Sequence, residues 1–136
     1  MRRGYRGYVV ILGLWLAGCD KNSEACEKAR LEASDVWKDV QEKAGKWKLQ
    51  GTTGYEEFNP QQKADHYRVW NGIETSAESI WKAFAFEKIT WSSARPARDT
   101  ATKEFKSYFA ADKYTSFQAL LDGANRHFDA VSAACK

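Results

Sequence analysis

The stretch Tyr108-Phe109-Ala110-Ala111-Asp112-Lys113-Tyr114-Thr115-Ser116-Phe117 decides the fold, because it either continues one helix or ends it and starts another. Before it, Ala97, Ala101, Phe105, Tyr108 and Phe109 step by threes and fours, the spacing of one helical face. After it, Phe117, Leu120, Leu121, Ala124, Phe128, Val131 and Cys135 do the same. Asp112-Lys113-Tyr114 interrupts the pattern, and Thr115 or Ser116 suits an N-cap, so the reading is a turn between two helices. Read straight through, the same residues would make one long rod and a three-helix protein.

Towards the N-terminus, Ser92, Ser93 and Pro96 mark a further turn. Asn59-Pro60-Gln61-Gln62 opens a second helix, with Asn as N-cap, Pro at the first helical position and Gln at the third. Its apolar face reads Ala64, Tyr67, Trp70, Ile73, Ala77, Ile80, Trp81 and Phe84, with Gly72 a place for a bend. Lys46 to Asn59, broken by Gly51 and Gly54, reads as a loop. Upstream, Ser23 caps a first helix with Glu24 and Glu27 where the dipole favours acid. That helix carries Cys26, Ala29, Ala33, Val36, Trp37, Val40, Ala44 and Trp47 on one face. Gly45 either ends it or sits inside it at a cost of about 1 kcal/mol.

The first 18 residues have a different character. Arg2, Arg3 and Arg6 precede an uncharged apolar run from Tyr8 to Ala17. That run is about ten residues, too short to span a bilayer. It closes on Leu16-Ala17-Gly18-Cys19, which resembles the lipobox of bacterial lipoproteins. The resemblance implies removal of residues 1–18 by signal peptidase II, lipid on Cys19, a short tether over residues 19–22 and a helical domain over 23–136. Asp20 resembles the inner-membrane retention signal of enterobacterial lipoproteins, so the inner membrane is slightly favoured over the outer.

With Cys19 lipidated in an oxidising compartment, Cys26 and Cys135 remain as an even pair for a disulfide. The alternatives are two separate buried thiols or, less well matched in spacing, a zinc site. In the loop-entropy account so long a closure contributes about 4–5 kcal/mol. The pairing also bears on the opening question. Four antiparallel helices in an up-down-up-down bundle start and finish at the same pole, so Cys26 and Cys135 can meet. A three-helix rod would leave them tens of Å apart. The expected fold is therefore all-α, an antiparallel four-helix bundle closed by an N-to-C-terminal disulfide.

Charge and composition narrow the function. The formal charge of +3 equals the three leader arginines, so the remaining Lys and Arg balance the 18 Asp and Glu. A neutral body lacks the basic excess that nucleic-acid binding uses. The chain has 6 Trp, 6 Tyr and 7 Phe, and after Tyr5, Tyr8 and Trp15 are set aside sixteen remain, many for so small a core. Trp47, Tyr55 and Phe58 lie in or beside the first loop, interleaved with Glu56 and Glu57; they are either an aromatic–acidic group that anchors a protein partner or rings that fold back to cap the bundle end. His66 and His127 lack the Glu-x-x-His spacing of di-iron bundles, and Asp65-His66 and Arg126-His127 read as surface pairs.

No haem-attachment motif, nucleophile elbow or phosphate loop is present in the sequence. The expectation is a non-enzyme without cofactor or metal, binding neither nucleic acid nor a small-molecule substrate. It is a periplasm-facing lipoprotein that binds another envelope protein, in the manner of immunity, exclusion or inhibitor lipoproteins. The alternative is a structural or assembly lipoprotein, pilotin-like or scaffold, of a secretion or cell-surface machine.

Overall fold

The computed structural model describes residues 23–50, 54–86, 91–110 and 112–135. The leader, the lipobox with Cys19, and Asp20 lie outside these residues. Four helices carry the described chain: α1 (Glu24–Gln50), α2 (Pro60–Phe86), α3 (Trp91–Tyr108) and α4 (Thr115–Ala134), with a 3₁₀ turn at Tyr55–Glu57.

α1 starts where a cap is available: the Cys26 N–H donates to the Ser23 hydroxyl at 3.2 Å, and Glu24 and Glu27 fill the first turn. It then runs through Gly45 to Gln50, so the loop expected from Lys46 begins later. The reason is tertiary. The Glu74 carboxylate of α2 lies over Gly45, 2.7 Å from where a Cβ would stand, and pairs with Lys48 in the last turn. Trp47, expected on the apolar face of this helix and beside the loop, is helical and stacks on Trp70 with ring centroids 5.7 Å apart.

The chain enters the 3₁₀ turn through Gly54 at φ 85°, a left-handed conformation that favours glycine. α2 begins with the expected capping box. The Gln62 N–H donates to Asn59 Oδ1 at 2.8 Å, and the Asn59 N–H donates back to Gln62 Oε1 at 3.0 Å. The buried face of α2 is His66, Val69, Trp70, Ile73, Ala77, Ile80, Ala83 and Phe84. Ala64 and Tyr67, expected on it, are exposed instead.

α3 starts at Trp91 and contains Pro96, where a turn was expected. Pro96 has no N–H for the helical ladder. Burial before the proline offsets that loss: Ala94 is buried, and Trp91 packs on Phe128 at 4.3 Å. The chain bends between α3 and α4 as the opening stretch predicts, with Lys113 N–H donating to the Ala110 carbonyl at 3.1 Å. Buried Tyr114 takes the N-cap position of α4 without a side-chain cap, in place of the expected Thr115 or Ser116.

α1 packs most extensively on α2, α2 on α3, and α1 on α4, while α3 and α4 touch only sparsely. One core runs through them, with Trp37, Trp70, Phe105 and Phe128 its largest fully buried side chains. At one pole Cys26 and Cys135 form a disulfide, 109 residues apart in sequence and 4.8 Å apart at Cα. Aromatic side chains crowd the other.

Replacing Cys135 by Ser, or adding reductant, is expected to lower the unfolding free energy by about 2–5 kcal/mol. A urea melt in each redox state reads this directly, and an unmoved midpoint would show that the cross-link adds nothing. Asn59→Ala should cost about 1 kcal/mol by the same measurement, through loss of the cap on α2.

Candidate functional site at the aromatic pole

The aromatic pole is built around His66, in the second turn of α2 and only 1% exposed. Its Nε2 lies 3.3 Å from the Trp47 carbonyl. Trp47 is among the last four residues of α1, whose carbonyls have no amide ahead of them within the helix. The imidazole therefore donates where α1 needs a donor, which puts the proton on Nε2. Nδ1 is buried without a hydrogen-bond partner among the described residues.

Rings close the rest of the box. Tyr55 and Phe58 from the 3₁₀ turn lie 5.1 and 6.0 Å from His66 by centroid, and Trp70 and Phe109 lie at 6.3 and 6.4 Å. Tyr55 and Phe58 also contact each other at 5.6 Å, and Lys63 Nζ sits over the Tyr55 ring. Trp70 ties the box to the core, touching Phe109 at 4.5 Å and Phe117 at 4.9 Å. Trp47 completes it against Tyr114 at 5.5 Å. The pole is thus a junction of all four helices and the turn.

Tyr55 and Phe58 are half-buried and fold back over His66, and Trp47 is half-buried in α1. Glu56 and Glu57, between the two inward rings, are exposed. His66 corrects the expected surface pair Asp65-His66: only Asp65 stays near the surface, accepting from Gln61 at 3.2 Å. His127 is half-exposed.

Three exposed side chains at this pole were not singled out for contact. Leu49 ends α1 fully outward, Tyr67 is 52% exposed with Lys48 Nζ 5.4 Å from its ring centre, and Tyr108 is exposed at the end of α3. A cleft of roughly 200 Å³ opens beside Trp47, between Lys43 and Lys46 of α1 and Ser116 and Phe117 of α4. The pole offers carboxylates, the ammonium groups of Lys43, Lys46, Lys48 and Lys63, aromatic edges and an aliphatic side chain around a rigid support, the materials of a recognition surface. A second, wider groove of about 640 Å³ lies between α3 and α4, lined by Arg98, Thr102, Lys103, Lys106 and Asn125.

Among the described residues no three metal-type ligands cluster, and no helix is long and apolar enough to cross a membrane. No family model matches the chain, and neither a curated protein nor a solved structure matches it.

Burial holds the His66 pKa below its ordinary value, opposed by the hydrogen bond to the Trp47 carbonyl. The unfolded chain, with His near 6.5, then takes up a proton before the folded one does. Stability should therefore be full above about pH 6.5 and fall as the pH drops below it towards the folded pKa. Urea melts of the wild type and of His66→Gln across this range should diverge, with the steeper acid loss in the wild type. Parallel curves would show that His66 does not control the slope.

Proposed function

We propose that the chain is a lipid-anchored bacterial envelope protein that works without catalysis, holding a protein partner at its aromatic pole. Its body is an up-down-up-down four-helix bundle with the anchor at the disulfide pole. End-to-end contacts favour that topology. Arg30, early in α1, donates to the Phe84 carbonyl late in α2 at 3.1 Å. Tyr108 at the end of α3 lies 3.5 Å from the Gln62 carbonyl at the start of α2, and Arg98 of α3 meets Asp129 late in α4 at 2.9 Å. These contacts support opposite directions for α1 and α2, for α2 and α3, and for α3 and α4.

The anchor rests on Leu16-Ala17-Gly18-Cys19 behind a basic, apolar leader. The observation that carries the binding reading is where apolar surface is left exposed. The exposed large hydrophobics among the described residues are Leu31, Leu49, Tyr67, Phe86 and Tyr108. All sit towards one end of the bundle or the other, and three belong to the aromatic pole beside Glu56 and Glu57. Mixed aromatic and acidic groups on a rigid platform suit a partner patch that is apolar and cationic. The inward turn of Tyr55 and Phe58 makes them the support of this surface, with Tyr67, Leu49 and the two carboxylates as its contacts.

The test is crosslinking and affinity capture of the full-length protein from its own membranes. The wild type should recover a defined envelope protein. Glu56→Lys combined with Glu57→Lys, and separately Tyr67→Ser, should each reduce recovery at least about tenfold, the scale of a lost hot spot. Equal recovery by all three would remove this pole from the interface. Mass spectrometry of the same material should find acylated Cys19 as the first residue, and an intact leader on cytosolic protein would end the anchoring reading.

A further inference from the structure

The tether and the exposed side chains at the disulfide pole lead to a second surface. On the anchoring reading, on which this inference rests, only residues 20–22 separate lipidated Cys19 from Ser23, just before α1. Four Cα steps reach about 14 Å at most, whatever their conformation. The first turn of α1, with Cys26 and its disulfide, is therefore held against the bilayer.

That end of the molecule does not present a polar surface all round. Phe86 at the end of α2 is 55% exposed, and Leu31 in α1 is 57% exposed. Phe86 packs edge-on against half-buried Trp81, with centroids 5.7 Å apart, and Lys38 Nζ lies 5.7 Å from the centre of the Trp81 ring. Leu31 precedes Lys38 by seven residues, two helical turns, so both lie on the same side of α1. Leu31 and Lys38 of α1 thus lie along the same α1–α2 edge as Trp81 and Phe86, which runs from the disulfide pole towards the middle of the bundle.

We infer that this α1–α2 edge is a bilayer-contact face that seats the lipid-anchored bundle in the membrane interface. The chemistry is that of interfacial residues: an aliphatic and an aromatic side chain exposed, an indole behind them, and an ammonium able to stay in water. Three side chains would bind lipid weakly alone. The short tether raises their effective concentration at the surface to the millimolar range, so a weak contact suffices. The charges around the edge are mixed, since Lys82 pairs with Glu78 at 2.6 Å, so the attraction is apolar and does not depend on anionic lipid.

The experiment uses the lipidated full-length product reconstituted in phosphatidylcholine vesicles whose acyl chains carry bromine near the headgroup. Bromine quenches only tryptophans within contact range, and Trp81 is the reporter. Brominated lipid should lower tryptophan emission, Trp81→Phe should remove most of that quenching, and Leu31→Ser with Phe86→Ser should reduce it at least about twofold. The quenching should survive high salt, because it does not come from surface charge.

Absent quenching on a protein whose Cys19 is shown by mass spectrometry to be acylated overturns the face while leaving the anchor intact. Quenching unchanged by Trp81→Phe, or abolished by salt, overturns it as well. An unacylated Cys19 overturns the anchoring reading and takes this face with it. Circular dichroism of the variants, all at exposed or half-exposed positions, separates lost contact from lost fold.

Discussion

A covalent bond between the first turn of α1 and the end of α4 governs how the rest of the chain must run. Cys26 and Cys135 are 109 residues apart, and their Cα atoms stand 4.8 Å apart. A chain of long helices can close such a bond only if it comes back to its starting pole. α1 and α2, of 27 residues each, are about 40 Å long, so one helix too few would leave the cysteines a full bundle length apart. On the proposed up-and-down topology, the bend between Phe109 and Thr115 supplies the last reversal, and burial of Tyr114 against Phe109, Trp47 and Phe105 holds it. The bond and the bend are therefore complementary, and both add to the apolar core that already holds α4 on α1.

The opposite pole solves a different problem. Helix ends leave carbonyls without amide partners, and at the end of α1 an imidazole from α2 provides a donor. Enclosing that imidazole in rings shields the contact from water and favours its neutral form. Tyr55 and Phe58 close the enclosure, which gives the 3₁₀ turn its place and pushes Glu56 and Glu57 outward. The exposed acidic groups of the proposed contact surface are thus a consequence of how the pole is packed.

What the sequence discloses is what depends on neighbours along the chain. The Asn59–Gln62 capping box is complete within four residues, and the Ser23 cap within four, so both are legible before any fold is known. The apolar stripes of α1 and α4 are legible for the same reason. Gly45 and Pro96 mislead because their local cost is outweighed from elsewhere, by Glu74 and Lys48 across the α1–α2 contact and by Trp91 on Phe128. His66 and Tyr67 mislead more subtly. They stand four and three residues before Trp70, so either fits the helical face, and hydropathy prefers Tyr. The structure turns His inward, where its ring N–H meets the Trp47 carbonyl, a contact invisible until α1 is known to reach Gln50.

The charge distribution sets the two ends apart from the sides. Lys43 pairs with Asp39 at 2.9 Å and Lys82 with Glu78 at 2.6 Å, both four residues apart on their helices. Exposed pairs of this kind add little stability, but they keep a formally neutral body solvated. Scattered exposed hydrophobics would need no explanation. Here Leu49, Tyr67 and Tyr108 lie towards the aromatic pole and Leu31 and Phe86 in the half nearer the disulfide, which gives the molecule two regions of exposed apolar surface. On the proposed reading the two are coupled by geometry alone: the edge formed by Leu31, Trp81 and Phe86 sets the tilt of the shaft. That tilt fixes how far from the bilayer, up to about 40 Å, the aromatic pole is carried. A partner of fixed height in the envelope would then be selected by the lean of the bundle as well as by the chemistry at its tip.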